Sequence, residues 1–392
     1  MISIINAKEI IKKNTRKSEF EYCPISNALG CITAENVVAT HNSPDFNQSA
    51  MDGYALFSNS LNVGDVFNLR GESSAGKVSN ISVEQGFAMP IYTGAKVPEG
   101  ANMVVPIENV RVDAEYIVIM KTVTIGANIR VIGSQFSLNE LLINKGTKID
   151  IAEISLLAMN GIKNVLVAKE PVVNLIVTGN ELIEPGNELP SGGVYESNSF
   201  MLKAALNKYG INNIIVNHLK DDFSLIKQGI DDASKKCNYL VLSGGISVGK
   251  YDYVHKALTD LGVKGLFYKV AQKPGKPLFV GVLNNSLVFA LPGNPGAALT
   301  CFYEYLLPSL DIFRGKTKTG LNSGKAILTS NYSKGNTLTH FLKGYYNEGK
   351  VRITENQESF KITAFSEANC LIYLPQEIAE FIAGDVVEVH FF

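Results

Sequence analysis

At 392 residues the chain is longer than one ordinary core can fill, and about 100–200 residues per domain implies two to four domains. Hydrophobic residues make up 46% and charged residues 19%, the profile of a folded chain, which excludes a disordered one. A net charge of −1, with 30 lysines against six arginines spread along the sequence, gives no basic field to gather nucleic acid, so any anion site must be built locally.

The first 20 residues read as helix, because Ile4, Ile5, Ala7 and Ile11 recur at helical spacing. Lys8, Glu9, Lys12 and Lys13 interrupt them, so no signal-peptide core forms, and no stretch reaches the roughly 20 apolar residues of a membrane span. A cytoplasmic protein without membrane or nucleic-acid partners is the expectation. From 21 to 138, Gly, Pro and Asn punctuate short β-type runs such as NVRVD and YIVIMKTV, which predicts an antiparallel β module. It is inserted into a small helical or mixed domain made of 1–20 and 139–169, where Ile151, Ile154, Leu157 and Ala158 keep the helical rhythm.

Residues 170–318 alternate strands and helices as a doubly wound, mainly parallel α/β domain. Its strands fall at 172–177, 212–217, 238–242, 265–270 and 287–291, with helices over 199–209 and 224–235 between the first three. From 319 to 392, runs such as FLKGYY, KVRITE, FKITAF, CLIYL and DVVEVHF read as strands of a small C-terminal β-barrel. The five cysteines contain no C-x-x-C pair and suit reduced, mostly buried thiols. The five histidines are equally dispersed, and neither a Ser-His-Asp nor a Cys-His pattern stands out.

In a doubly wound sheet, ligands gather outside the carboxyl ends of the strands. The chemistry-bearing loops of this chain fall there. Ser243, Gly244, Gly245, Ser247 and Gly249 follow a buried strand directly; glycines let successive N–H groups turn toward one point, and the two hydroxyls add donors, which makes an anion nest or simply a tight strand-to-helix turn. Asp252 could hold a divalent cation that bridges to a phosphate, and Glu181, in TGNEL after another strand, could share it or act as a cap. Lys273 and Lys276 stand three residues apart in a proline-stiffened KPGKP turn, which suits an oxyanion or an ordinary charged surface turn. Pro292, Gly293 and Asn294 lead into a helix whose amides could meet a second anion.

Taken together and in this order, SAMDGYA (49–55), TGAKVPEGA (93–101), TGNEL (178–182), SGGISVGKYDYV (243–254), KPGKP (273–277) and LPGNP (291–295) make the chain resemble the molybdenum insertase family, MoeA in bacteria and the E domain of gephyrin. The resemblance covers essentially the whole chain. It implies molybdopterin molybdenumtransferase activity: adenylylated molybdopterin and molybdate become molybdenum cofactor and AMP, with a divalent cation, usually Mg2+. It further implies that residues 243–249 cradle the pterin phosphate or adenylate, and that Asp252, with Glu181 and Asp221 or Asp222, serves Mg2+ or pterin. Lys273 and Lys276 would attract anions, Lys269 and Ser359 would define the molybdate side, and Asp52 and Thr93 would approach from the β module. Relatives form an elongated homodimer with a cleft shared between protomers.

The chain departs from the family pattern at several of these places. Ser134 and Gln135 stand where two acids are usual, Asn180 where TGDEL has aspartate, Asn47 and Gln48 where Asp-Asn is usual, and Lys343 where arginine is usual. An amide coordinates through its carbonyl but brings no negative charge, and a lysine makes a point-charge contact instead of a planar fork. Weaker Mg2+ use is the expectation. Two other readings stay open: a catalytically weakened paralogue that binds molybdopterin or the cofactor as carrier or scaffold, and a molybdopterin adenylyltransferase.

Overall fold

A computed structural model describes residues 1–76, 82–245 and 253–392. They divide into two units: Met1–Ala34, Lys145–Asp150 and Leu166–Phe392 form the first, Glu35–Asn144 and Ile151–Val165 the second.

The first unit is built on a six-stranded sheet in the order Ile214–Leu219, Val173–Thr178, Tyr239–Ser243, Ser286–Leu291, Phe279–Leu283, Lys264–Tyr268. The first four strands run parallel. Val173–Thr178, Tyr239–Ser243 and Ser286–Leu291 are buried at every position, because apolar layers cover both faces of the sheet. On one face Leu175, Val241 and Phe289 pack with Ile4, Ala7 and Ile11; on the other Ile176, Leu240 and Val288 pack with Ile226, Ile230 and Val254. The strand expected over 265–270 is an antiparallel edge, and its partner Phe279–Leu283 escaped the sequence reading. That strand returns as a hairpin into Ser286–Leu291 through Asn284, whose φ of 52° is the kind of turn geometry asparagine tolerates.

The two helical segments expected to share one small domain fall in different units. Ile4–Asn14 turns its buried face, Ile4, Ala7 and Ile11, into the α/β core, whereas Ile151–Met159 belongs to the second unit. Helical periodicity identified both but could not say what each stripe packs on.

Near the C-terminus, Thr339–Asn347, Lys350–Ile353, Asn322–Leu328, Val386–Phe391 and Cys370–Leu374 pair in succession, and the last pairs back to the first, closing a barrel. Leu328, Val351, Ile372, Leu374 and Val389 fill it. The run FKITAF is no strand; it passes through a turn into the short helix Thr363–Ser366. Gln272–Lys273 adds in parallel to the barrel strand at Thr339 and His340, which ties the lysine turn to the barrel.

The second unit holds a six-stranded sheet in the order Met103–Pro106, Gly53–Leu56, Phe87–Ile91, Val66–Leu69, Tyr116–Ile119, Val110–Val112. It is antiparallel except for the pairing of Val66–Leu69 with Phe87–Ile91. Tyr54, Leu56, Met103 and Ile117 fill one cluster, and Ala55, Ile91 and Val104 fill another. No helix among the described residues is long and apolar enough to cross a membrane.

Candidate active site

A cavity of about 750 Å³ opens in the first unit where the lysine turn, the loop after Ser286–Leu291 and the barrel loop at 356–360 meet; Lys273, Lys276, Asn294, His340 and Ser359 line it. The turn is held from beneath. Gln272, fully buried, donates from Nε2 to the carbonyls of Pro274 (3.0 Å) and Gly275 (3.4 Å), and its Oε1 accepts from the Tyr305 hydroxyl. A Cβ at Gly275, whose φ is 86°, would come within 2.6 Å of Cys301 Sγ and 2.7 Å of Gln272 Nε2, so only glycine lets the turn lie so close to its support. Pro274 and Gly275 are consequently buried while Lys273 and Lys276 remain exposed.

Across the cavity, Asn294 Nδ2 donates to Ser359 Oγ (2.8 Å) and Gly296 N donates to the Ser359 carbonyl (3.0 Å). The Ser359 hydroxyl already accepts a bond, so its own hydrogen is the one it offers to a ligand. His340 is neutral: burial, then Lys273 and Lys334, pushes its imidazolium down to about 4. Its two ring nitrogens are occupied by Tyr332 Oη (2.9 Å) and Asn336 Oδ1 (3.0 Å), so it serves as wall and not as base.

Lys343 corrects the expectation of a direct oxyanion contact. It has no exposed surface and lies on the face of its strand opposite Leu342, over the Phe365 ring, and its Nζ donates to the Gln357 carbonyl (2.8 Å). Burial brings its ammonium down to about 8. The Gln357 side chain completes the tie, accepting from Lys343 N (3.0 Å) and donating to the carbonyls of Lys343 (2.9 Å) and Thr354 (2.8 Å). Lys343 thus anchors, two residues upstream, the loop that presents Ser359.

At the carboxyl ends of the parallel strands, Asn198 laces two loops together: its Nδ2 donates to Ser243 Oγ (2.9 Å) and to the Gly293 carbonyl (2.7 Å). Gly244 and Gly245 follow with φ of 95° and 63°, and a Cβ at Gly244 would lie 2.8 Å from the Thr178 carbonyl oxygen. Thr178 Oγ1 and Asn198 Oδ1 are buried there without a hydrogen-bond partner among the described residues. Ser247, Gly249 and Asp252 lie outside the described residues.

The strand-end carboxylates are differently employed. Asp222 is the N-cap of the helix Phe223–Ser234, accepting from Leu225 N (2.9 Å), so one of its carboxylate oxygens has a structural task. Asp221 and Asn180 bond reciprocally: Asn180 N reaches Asp221 Oδ2 (3.4 Å), and Asp221 N donates to Asn180 Oδ1 (3.1 Å). Glu181 is exposed beside them, and its backbone carbonyl accepts from Val194 N (2.8 Å). Among the described residues no group of three His, Cys, Asp or Glu side chains could hold a metal ion. Lys269 is absent from the cavity lining; its Nζ stands 4.9 Å over the Tyr268 ring, which packs on His255 of the helix Tyr253–Asp260. Pro292 and Asn294 line the cavity, and Gly293 belongs to the glycine rim.

In the second unit, Asp52 and Thr93 meet. Asp52 Oδ1 accepts from Thr93 N (2.6 Å) and Thr93 Oγ1 (2.8 Å), and these two bonds hold its carboxyl below the usual range. Sequence reasoning named both but not their pairing. It missed Gln272, Tyr305, Gln357 and Asn198 altogether, since a buried amide or phenol carries no periodic signal.

Family models match three consecutive stretches: the MoeA N-terminal region (domain I and II) over 2–161, a probable molybdopterin binding domain over 174–311, and the MoeA C-terminal region (domain IV) over 325–392. The molybdopterin molybdenumtransferase of Staphylococcus epidermidis is 31% identical over 398 residues, covering 98% of this chain and 95% of that protein. Those of Haemophilus influenzae (31%, 95% and 94% covered) and Bacillus subtilis (30%, 95% and 90% covered) are similarly related. Among solved structures, a molybdopterin biosynthesis moeA protein from Pyrococcus horikoshii OT3 superposes with a TM-score of 0.86 at 26% identity, each chain covered completely. The chain belongs to the MoeA family.

Proposed function

We propose that this chain is a molybdopterin molybdenumtransferase, joining molybdate to adenylylated molybdopterin with release of AMP. The observation that carries the reading is the cationic cavity: two exposed ammonium groups and a hydroxyl with a free hydrogen converge on a space open to a tetrahedral dianion. Charge-assisted hydrogen bonds of this kind are the strong ones. Molybdate would bind between Lys273, Lys276 and Ser359, with Asn294 orienting the serine. The substrate's phosphates would lie along the glycine rim at Ser243, Gly244, Gly245 and Gly293, where backbone N–H groups can turn outward.

Mg2+ belongs to this proposal. One exposed carboxylate suits an ion that keeps several waters and takes further ligands from substrate phosphates. Glu181 would hold it, together with Asp252 beyond the described residues, and the bound ion would neutralise charge on the anhydride that is cleaved. Asn180 presents an amide oxygen already bonded to Asp221 N, so it adds no charge to that rim. Replacing Asn180→Asp together with Gln135→Glu is expected to lower the Mg2+ concentration needed for half-maximal AMP release by a few-fold; an unchanged Mg2+ titration would contradict this. A cytoplasmic homodimer, in which Asp52 and Thr93 of one protomer complete the cleft of the other, completes the reading.

The test is incubation with adenylylated molybdopterin and molybdate in the absence of ATP. Release of AMP with active cofactor supports insertion. Binding without AMP release would support a carrier, and a requirement for ATP and free molybdopterin would support an adenylyltransferase.

A further inference from the structure

We propose that Gln272 and Tyr305 are a positioning pair that fixes the spacing of Lys273 and Lys276, and so sets the affinity for the oxyanion; this rests on the reading that molybdate binds at those lysines. A glutamine side chain with no exposed surface is unusual unless each of its polar atoms is engaged. Here each is. The two Nε2 hydrogens go to the carbonyls of Pro274 and Gly275, and Oε1 takes the Tyr305 hydroxyl. Pro274 and Gly275 are themselves buried, so without Gln272 the Pro274 carbonyl would lose its side-chain donor and the Gly275 carbonyl would keep only the longer contact from Cys301 Sγ (3.7 Å).

The support for the pair is local and rigid. Tyr305 sits in the π-helical turn Phe302–Leu306, all five residues of which are buried. Such a turn inserts one residue into a helix and redirects its side chains, a device frequent near functional sites. In this turn Glu304 grips Lys8 Nζ (2.6 Å) and His390 Nδ1 (2.6 Å), while Tyr305 reaches Gln272. The lysine turn is thereby referred to the helical frame on one side and, through the pairing of Gln272 and Lys273 with Thr339 and His340, to the barrel on the other. Neither Gln272 nor Tyr305 carries the charge that meets the ligand; they act through the two lysines.

The experiment measures molybdate binding by equilibrium dialysis and AMP binding by calorimetry on the full chain and on Gln272→Met, Tyr305→Phe, the double variant and Lys273→Ala. Gln272→Met should weaken molybdate about tenfold and Tyr305→Phe, which removes one hydroxyl at nearly constant volume, about threefold. AMP binding should stay within twofold, and the double variant should be no weaker than Gln272→Met, since the two side chains act through one bond. Lys273→Ala separates the two readings. If it weakens molybdate while both pair variants bind within twofold of the parent, the positioning role is overturned and the site stands. If Lys273→Ala leaves molybdate binding unchanged, the site and the positioning role fall together. Parallel loss of AMP and molybdate binding in Tyr305→Phe would mark a merely structural residue and overturn the inference as well.

Discussion

The lysine turn and the strand-end rim of the same unit use polar groups in opposite ways. Under the turn, buried neutral groups absorb the backbone's hydrogen-bonding demand, and the two ammonium groups are left exposed to the cavity. At the rim, Asp222 caps a helix and Asp221 is tied to Asn180, so charges that look available in the sequence are partly consumed by the fold. A charged residue in a loop is free for a ligand only if something else satisfies the local backbone.

The largest effect expected from this contrast is at the turn. Replacing Lys273→Ala and Lys276→Ala together should lower the rate of AMP release at limiting molybdate by about a hundredfold, roughly 1.4 kcal/mol for each lost charge-assisted contact. A loss below threefold would erase the distinction between the two regions.

The next concerns the cavity wall. His340 has a folded-state value of about 4, below its ordinary value of 6.5, so the unfolded chain takes up the proton first. The stability this neutral ring contributes is complete above pH 6.5 and is lost as pH falls toward 4, on the order of 2 kcal/mol. Urea unfolding of the parent and of His340→Gln between pH 7 and 4.5 should show the parent losing stability more steeply. Parallel curves would mean that the ring takes up its proton as readily in the fold as in the unfolded chain.

Ser359→Ala should raise the molybdate concentration for half-maximal rate about tenfold, because a hydroxyl donor to a charged ligand disappears. The bond from Asn294 disappears with it, so Asn294→Ala should give a smaller loss of the same kind. At the rim the smallest effect is expected: Asp222→Ala should cost about 1 kcal/mol in urea unfolding, as a lost N-cap does, with AMP release unchanged. Impaired release in a stably folded Asp222→Ala would return that carboxylate to the site.

The outline of this arrangement is legible in the sequence. Apolar runs ending in glycine, proline and lysine loops placed the doubly wound sheet and its rim of loops, and the polar-turned short strands placed the barrel. What stayed hidden shares one cause. The Phe279–Leu283 strand, the burial of Lys343, the cap at Asp222 and the Gln272–Tyr305 pair are set by which backbone group each residue meets in three dimensions. FKITAF alternates like a strand but coils into Thr363–Ser366 instead. The partnership of Asp52 with Thr93 likewise joins loops 41 residues apart.

Anomalous diffraction at the molybdenum edge, from crystals of the full chain equilibrated with molybdate, tests the central assignment most directly. A single strong peak within hydrogen-bonding reach of Lys273, Lys276 and Ser359 is the predicted result. A peak elsewhere, with this cavity empty in an active preparation, would contradict it.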